Sequence, residues 1–523
     1  MADASPWRNH LERHAEKLVW GCSAAATVLR ARTAATTFLV PDEALHFTYV
    51  NQPSFAATYA ASLHSAHPPL FFLLLHLVRL LASSELALRS ISLVSCFWVP
   101  WLLFRWISTV SNRSTALSCG ILAAFAPPLM LLGGVVRHYG LLLVFASAAL
   151  FLCESGFARR SRGRLAAASL MLALAALTHY SAVWLILALG LYALVRFAKE
   201  RLPPGLAVTW ALGQVGILGI YAFLYRTQIS KVRGGTMERF AVEVWLRDSY
   251  FKGGSRLHFA AARTVDVFHY LSGDTVVGWV GLLLFATALA LKGRVPKAFR
   301  ALLLMPFLAV GIAALAGLFP YGGTRHDVIL LPFALAGIAV ALDSLSGLVP
   351  SFVFLGPLLA AAIAGLGNWG ADPAPGEIPP GEQDKSAVQK ALALLRASLA
   401  PGDLVFTDAQ TNVELAYYLA PEGPTPFSPE ARGVMQARWG GLNIIQSPMW
   451  AFTPFTLGPE FARARLRLGL PPAARVRVLI IGWPPHLLHD LAIVQPGAIL
   501  SAQELSPYVA LFELNPAAAL HAR

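Results

Sequence analysis

Apolar residues along the chain gather into long blocks separated by short polar intervals. The blocks cover 16–38, 86–108, 115–134, 138–157, 164–178, 180–197, 205–225, 275–291, 299–318, 327–343 and 348–367. A helix of roughly twenty apolar residues spans the hydrocarbon layer of a bilayer, so each block predicts a transmembrane helix. One further block, 68–82, is shorter and carries His76 and Arg79. The loop charges decide its role. If 68–82 lies along the surface, the basic loops holding Arg113, Arg159 to Arg164, Arg196 to Arg201 and Lys292 to Arg300 all face the cytoplasm, as the positive-inside rule requires. If it crosses, every strong cluster inverts. The pattern therefore predicts eleven spans and a juxtamembrane helix at 68–82, with the N-terminus inside and the C-terminal region outside.

Beyond 367 the pattern changes. A Pro/Gly linker at 371–383 precedes an amphipathic helix from Asp384 to Leu399. A strand at Asp403–Thr407 follows, then a helix around Val413–Leu419. A second buried strand covers Val476–Ile481, another helix comes after it, and a third strand covers Tyr508–Leu514. Alternating strands and helices predict a small α/β domain over 384–523, after an all-α polytopic membrane domain over 1–370. No Gly-rich phosphate loop occurs in it. The interval 226–274 mixes basic residues (Lys231, Arg233, Arg239, Arg247, Lys252, Arg256, Arg263) with Phe240, Trp245, Tyr250 and Phe251. It reads as a pair of interfacial amphipathic helices, or as a lid or platform for an acidic substrate.

Composition agrees with the pattern. Of 523 residues 56% are hydrophobic and 13% charged, against about a quarter charged in soluble chains. The net charge of +13 lies in short loops between apolar blocks rather than in a groove or tail, which argues against nucleic acid as a partner. Cys22, Cys96, Cys119 and Cys153 sit in or beside apolar blocks with neither disulfide nor metal spacing, and are expected to act as small hydrophobes. The Arg-rich, Ala- and Leu-heavy composition points to a bacterial inner membrane.

On this topology the outer face collects the chain's reactive residues. The first outer loop opens with Pro41-Asp42-Glu43-Ala44-Leu45-His46 and closes with His67-Pro68-Pro69. Further outer turns carry Arg137-His138-Tyr139, Thr178-His179-Tyr180 and Arg325-His326-Asp327. Asp42 and Glu43 suit the first turn of a helix, yet acids beside a membrane span are costly unless they serve chemistry. His67 before two prolines suits a helix entrance. Each Arg-His pair offers a planar fork to phosphate oxygens.

Taken in order, Pro-Asp-Glu-Ala-Leu-His, His-Pro-Pro-Leu-Phe-Phe-Leu-Leu-Leu-His, Ser84-Glu85-Leu-Ala-Leu-Arg89-Ser90 and Arg137-His138-Tyr139-Gly-Leu-Leu-Leu resemble the GT-C superfamily of membrane glycosyltransferases. The branch most similar is that of protein O-mannosyltransferases and the lipid A aminoarabinose transferase. The likeness covers roughly 16–345. It departs at Leu39-Val40-Pro41, where relatives often carry an aromatic residue, and at Arg137-His138-Tyr139, where some carry an acid. The resemblance implies a sugar carried on a polyprenyl phosphate and an acceptor hydroxyl on a glycan, lipid or protein. It makes Asp42 the catalytic base with Glu43 beside it. Arg137, His138, Arg325 and His326 then fall at the donor phosphate, and His46, His67, Tyr139, His179 and Tyr180 at the substrate. A phosphate leaving group has a second pKa near 6 and needs no general acid, so direct inverting displacement is expected, with no metal or other cofactor. A polytopic lipid or solute transporter is the alternative, although no two-fold internal repeat is visible.

Overall fold

The computed structural model describes residues 6–232, 242–243, 246–291, 295–346, 354–371, 377–399, 403–420, 434–470 and 476–515. Arg233, Arg239, Phe240 and Trp245 of the long loop, Lys292 and Arg294, and part of the Pro/Gly linker lie outside them. Contacts divide the chain into two compact units. A membrane unit comprises Met1–Arg32, Leu63–Phe71 and Arg89–Glu377, and an α/β unit comprises Thr33–Ser62, Phe72–Leu88 and Ile378–Arg523. Compactness thus groups most of the first loop with the C-terminal region.

Helices of six residues or more begin with α1 (Pro6–Thr36), α2 (Pro41–Val50), α3 (Phe55–Ser62), α4 (Leu70–Leu81) and α5 (Glu85–Ile107). Next come α6 (Arg113–Ala124), α7 (Pro127–Leu132), α8 (Tyr139–Ala158), α9 (Arg162–Thr178), α10 (Ala182–Lys199) and α11 (Pro204–Leu224). The membrane unit ends with α12 (Arg256–Ser272), α13 (Thr275–Ala290), α14 (Lys297–Leu315), α15 (Leu331–Ser346) and α16 (Leu355–Trp369). Its core is centred on α15, buried continuously from Leu331 to Leu342, with α6, α13 and α16 packed on it. On another side α8 packs on α9, and α9 on α11.

By length and composition six described helices can cross a bilayer, or seven if a bent pair counts as one span. That is coarser than the eleven spans expected. The reasons are local. The block 115–134 breaks into α6 and α7 because Pro127 and Pro128 cannot continue the ladder. The block 275–291 becomes α13, turned by 109° from α12 at Gly273, whose φ of +82 is a left-handed helix end. Helix α4 has 12 residues, about 18 Å at 1.5 Å per residue, which is short of a crossing. Of the two amphipathic helices expected over 226–274, α12 is described.

The α/β unit carries a six-stranded mixed sheet in the order β2-β3-β1-β4-β6-β5. Its strands are β1 (Leu404–Thr407), β2 (Met435–Trp439), β3 (Leu442–Gln446), β4 (Val476–Ile481), β5 (Ile499–Ser506) and β6 (Val509–Leu514). Strand β1 pairs parallel with β3 and β4, and the outer pairs are antiparallel. Its helices are α17 (Lys385–Ser398), α18 (Ala409–Leu419), α19 (Leu457–Leu468) and α20 (Leu487–Val494). One face of the sheet buries Phe406, Phe452 and Phe461, and the other buries Val388, Leu395, Leu415 and Phe38 of the first loop.

Candidate functional site

The membrane unit brings together the predicted residues of the turns between its spans. The ring of His67 lies 3.8 Å, centroid to centroid, from His138 and 5.4 Å from His179. His138 and His179 stack at 4.6 Å and 20°. Tyr139 packs 5.4 Å from His179, and His326 lies 6.3 Å from it. The two arginines border this imidazole cluster. Arg325 hydrogen-bonds the Tyr139 side chain, and the charges of Arg137 and Arg325 act on each other. Burial, followed by the like charge of Arg325, lowers the Arg137 guanidinium to about 9. It is still a cation at neutral pH. Burial and Arg325 also push His179 down to about 3, which leaves a neutral imidazole.

The backbone holds these groups by identifiable devices. Ser92 Oγ donates to the Arg137 carbonyl at 2.9 Å. Asp327 Oδ2 accepts from the Gly322 and Thr324 amides, each at 3.2 Å, and so closes the turn that presents Arg325. Gly323 in that turn has φ +77, and a Cβ there would lie 2.6 Å from the Asp266 carbonyl oxygen. A side chain is excluded on both counts. Arg30, in the last third of α1, packs its side chain beside Gly133 in the turn before Arg137. Its Nη2 donates to the Ala124 carbonyl at 2.5 Å.

Gln228 is a participant that sequence reasoning missed. It is fully buried in a π-helical turn that extends α11. Its Nε2 donates to the carbonyls of Ser65 and His67, both at 2.8 Å, and its Oε1 accepts from Tyr180 OH at 2.8 Å. The available signal was one polar amide at the end of an apolar block. His67 and His138 offer ring nitrogens within 4.8 Å of one another, a spacing a metal could use. Two neighbouring guanidinium groups, with the Glu377 carboxylate acting on Arg137, leave the cluster net positive, which opposes a cation and favours an anion. The chemistry the cluster supports is therefore binding of phosphate or a similar anion, with stacking faces beside it.

The other predicted residues, Asp42, Glu43 and His46, belong to the α/β unit on α2. Glu43 is fully buried; its Oε2 accepts from the Val40 amide at 3.0 Å, and its own amide donates to the Val40 carbonyl at 2.7 Å, so it closes the helix N-terminus. Asp42, one residue earlier, is half-buried. His46 Nδ1 lies 2.5 Å from the Asp42 carbonyl oxygen, and its ring stacks on Phe72 at 5.3 Å. Helix α2 packs on α18. Phe47 meets Tyr417 edge-on at 4.9 Å, the Leu39 amide donates to Tyr418 Oη at 3.0 Å, and Tyr417 OH donates to the Ser83 carbonyl at 2.9 Å. Nearby, Lys385 pairs with Glu85 at 2.8 Å. The seat under Pro41 is the carboxyl end of β4. Gly482 there has φ +118, and a Cβ on it would come within 2.7 Å of Pro41 Cγ.

Comparison with known proteins adds independent findings. Residues 66–224 match the family model described as dolichyl-phosphate-mannose-protein mannosyltransferase. A comparison of the sequence with curated proteins found no match. Among solved structures, ArnT from Cupriavidus metallidurans in the apo state is similar with TM-score 0.55 and 14% identity, over 94% of this chain and 97% of that one. The same protein bound to undecaprenyl phosphate gives TM-score 0.52 at 14% identity, over 94% and 97% of the two chains. The Archaeoglobus fulgidus oligosaccharyltransferase in complex with Zn and sulfate gives TM-score 0.50 at 12% identity, over 91% of this chain and 70% of that one. The chain thus carries a match to the mannosyltransferase family model across its early spans and shares its fold with ArnT over nearly its whole length.

Proposed function

We propose that this protein is a glycosyltransferase that moves a sugar from a polyprenyl-phosphate donor to an acceptor hydroxyl at the periplasmic face of a bacterial inner membrane. The observation that carries this reading is the pair of cations, Arg137 and Arg325, set beside stacked imidazoles in a largely desolvated cluster. The Glu377 carboxylate also acts on Arg137, and two neighbouring guanidinium groups offer the planar forks that phosphate oxygens suit. In the transition state the departing phosphate gains negative charge, so cations already in place stabilise it more than the ground state. Tyr139, held by Arg325, orients the guanidinium plane. His67, His138, His179 and His326 supply aromatic faces and hydrogen-bond donors toward sugar and phosphate.

Asp42 is assigned the base. Its carboxylate removes the proton of the incoming hydroxyl while the C1–O bond to the phosphate breaks. The sugar is inverted, the proton stays on Asp42, and the electron pair leaves on the polyprenyl phosphate. Glu43, held by the Val40 amide, and His46 position that residue from the same helix. Undecaprenyl phosphate bound to the similar ArnT supports the donor class.

Two readouts test the proposal separately. Undecaprenyl phosphate serves as binding probe for the purified chain, and the mass profile of envelope glycans in cells with and without the gene reports transfer. Asp42→Asn is expected to lower transfer about a hundredfold or more and to leave probe binding intact. Arg137→Ala and Arg325→Ala are each expected to weaken probe binding by about 1.5–3 kcal/mol. Full transfer by Asp42→Asn removes that residue as base. Unchanged binding in both arginine variants moves the phosphate site elsewhere.

A further inference from the structure

Helix α8 begins beside the imidazole cluster at Tyr139 and ends at Ala158, 20 residues on, or about 30 Å away at 1.5 Å per residue. At that far end the membrane unit holds a cavity of about 400 Å³ lined by Arg105, Arg113, Arg159 and Arg164, with Glu16 as the acid on its lining among the described residues. The positive-inside rule explains why these loops are basic. It does not explain why arginines from α5, α6, the α8–α9 turn and α9 converge on one hollow.

The lining is built rather than incidental. Glu16 Oε1 accepts from Trp101 Nε1 at 2.8 Å and lies 3.6 Å from Arg105 Nη1. Arg105 sits 5.3 Å from the ring centroids of both Trp101 and Phe151. Arg113 Nη1 donates to the Glu12 carbonyl at 2.9 Å. Four cations against one carboxylate leave a surplus of positive charge.

One helical turn toward the bilayer centre, the same two helices carry an aromatic floor. Trp101 stands four residues before Arg105 on α5, and Trp20 stands four residues after Glu16 on α1. Their rings stack at 5.4 Å, and Trp98, 41% exposed, joins them edge-on. Tryptophans at this depth mark the interface between headgroup and acyl chain. A free anion would have no use for such a floor, whereas a lipid would place its phosphate among the arginines and its glycerol and first methylenes against the indoles. The volume suits a phosphoglycerol headgroup, and basic hollows between spans are where anionic headgroups bind.

We propose that this cavity binds the phosphate headgroup of an anionic phospholipid, in the leaflet opposite the transfer site. Native mass spectrometry of the full chain in detergent tests it, with phosphatidylglycerol, phosphatidylcholine of the same acyl chains, or inorganic phosphate offered in turn. One phosphatidylglycerol should be retained and phosphatidylcholine lost. In Arg159→Gln/Arg164→Gln, phosphatidylglycerol binding should weaken about thirtyfold, two basic contacts being removed, with undecaprenyl phosphate binding as in the wild type. Arg159→Gln alone, an exposed change at a helix end, should show a smaller loss in the same direction. Equal retention of the two lipids overturns the proposal, as does phosphatidylglycerol binding that survives the double substitution. Displacement of the lipid by millimolar phosphate would show a free-anion site and also overturn it.

Discussion

Asp42 and Glu43 are chemically alike and adjacent, yet their surroundings differ. Glu43 is sealed in and accepts from the Val40 amide, whereas Asp42 keeps part of its surface open. A glutamine at position 43 can accept the same hydrogen bond. Glu43→Gln should therefore retain transfer within a few-fold of wild type in the envelope-glycan assay, while Asp42→Asn loses it. Equal losses would mean that the charge on Glu43 matters as well. The sequence carried both possibilities, since Pro-Asp-Glu opens a helix as readily as it supplies a base. Only the hydrogen bond to Val40 separates them. The gathering of Arg137, His138, Arg325 and His326 was legible because charge and imidazole stand out in apolar surroundings. Gln228 was not, because an uncharged amide reveals its role only when the carbonyls of Ser65 and His67 arrive beside it.

Periodicity located most helices to within a turn and failed where a turn depends on its neighbours. The hairpin of β2 and β3 is closed by Gly440 and Gly441, at φ +54 and +84, a two-residue loop of the kind Gly-Gly favours. That signal stood in the sequence unused, because the flanking strands are short and only partly buried. The seating of α2 on α18 was beyond any local pattern, since Leu39 and Tyr418 lie 379 positions apart. This seating positions Asp42, and it can be loosened without touching the acid. Tyr418→Phe removes one hydrogen bond, worth about 1 kcal/mol. Gly482→Ala adds a methyl group against Pro41 at a backbone angle that disfavours side chains. Both should speed hydrogen exchange at the Glu43 and Ala44 amides in the intact protein and lower transfer, with undecaprenyl phosphate binding unchanged. Exchange that stays at the wild-type rate in both variants would show that α2 holds its place without them.

At the scale of the molecule, charge distribution and the fold shared with ArnT point the same way. The proposed orientation has a direct check. A lone cysteine introduced at exposed Ser54 should react with a membrane-impermeant maleimide in spheroplasts, and one at exposed Arg159 should react only after lysis. The reverse order would place the transfer site in the cytoplasm. That the first two thirds of the chain form a multi-pass helical region was readable because lipid imposes one strong rule on every span. The grouping of Thr33–Ser62 and Phe72–Leu88 with the C-terminal sheet was not, because it follows from packing between segments far apart in the chain.

That grouping bears on how the protein comes off the ribosome. Asp42 precedes the tyrosines that seat its helix by about 375 positions, so it emerges long before them. A prematurely terminated product would reach the bilayer with its arginines and imidazoles assembled but its acid unsupported. Such a fragment could capture lipid-linked sugar without discharging it, so a membrane containing it would lose donor to a dead end rather than suffer indiscriminate transfer.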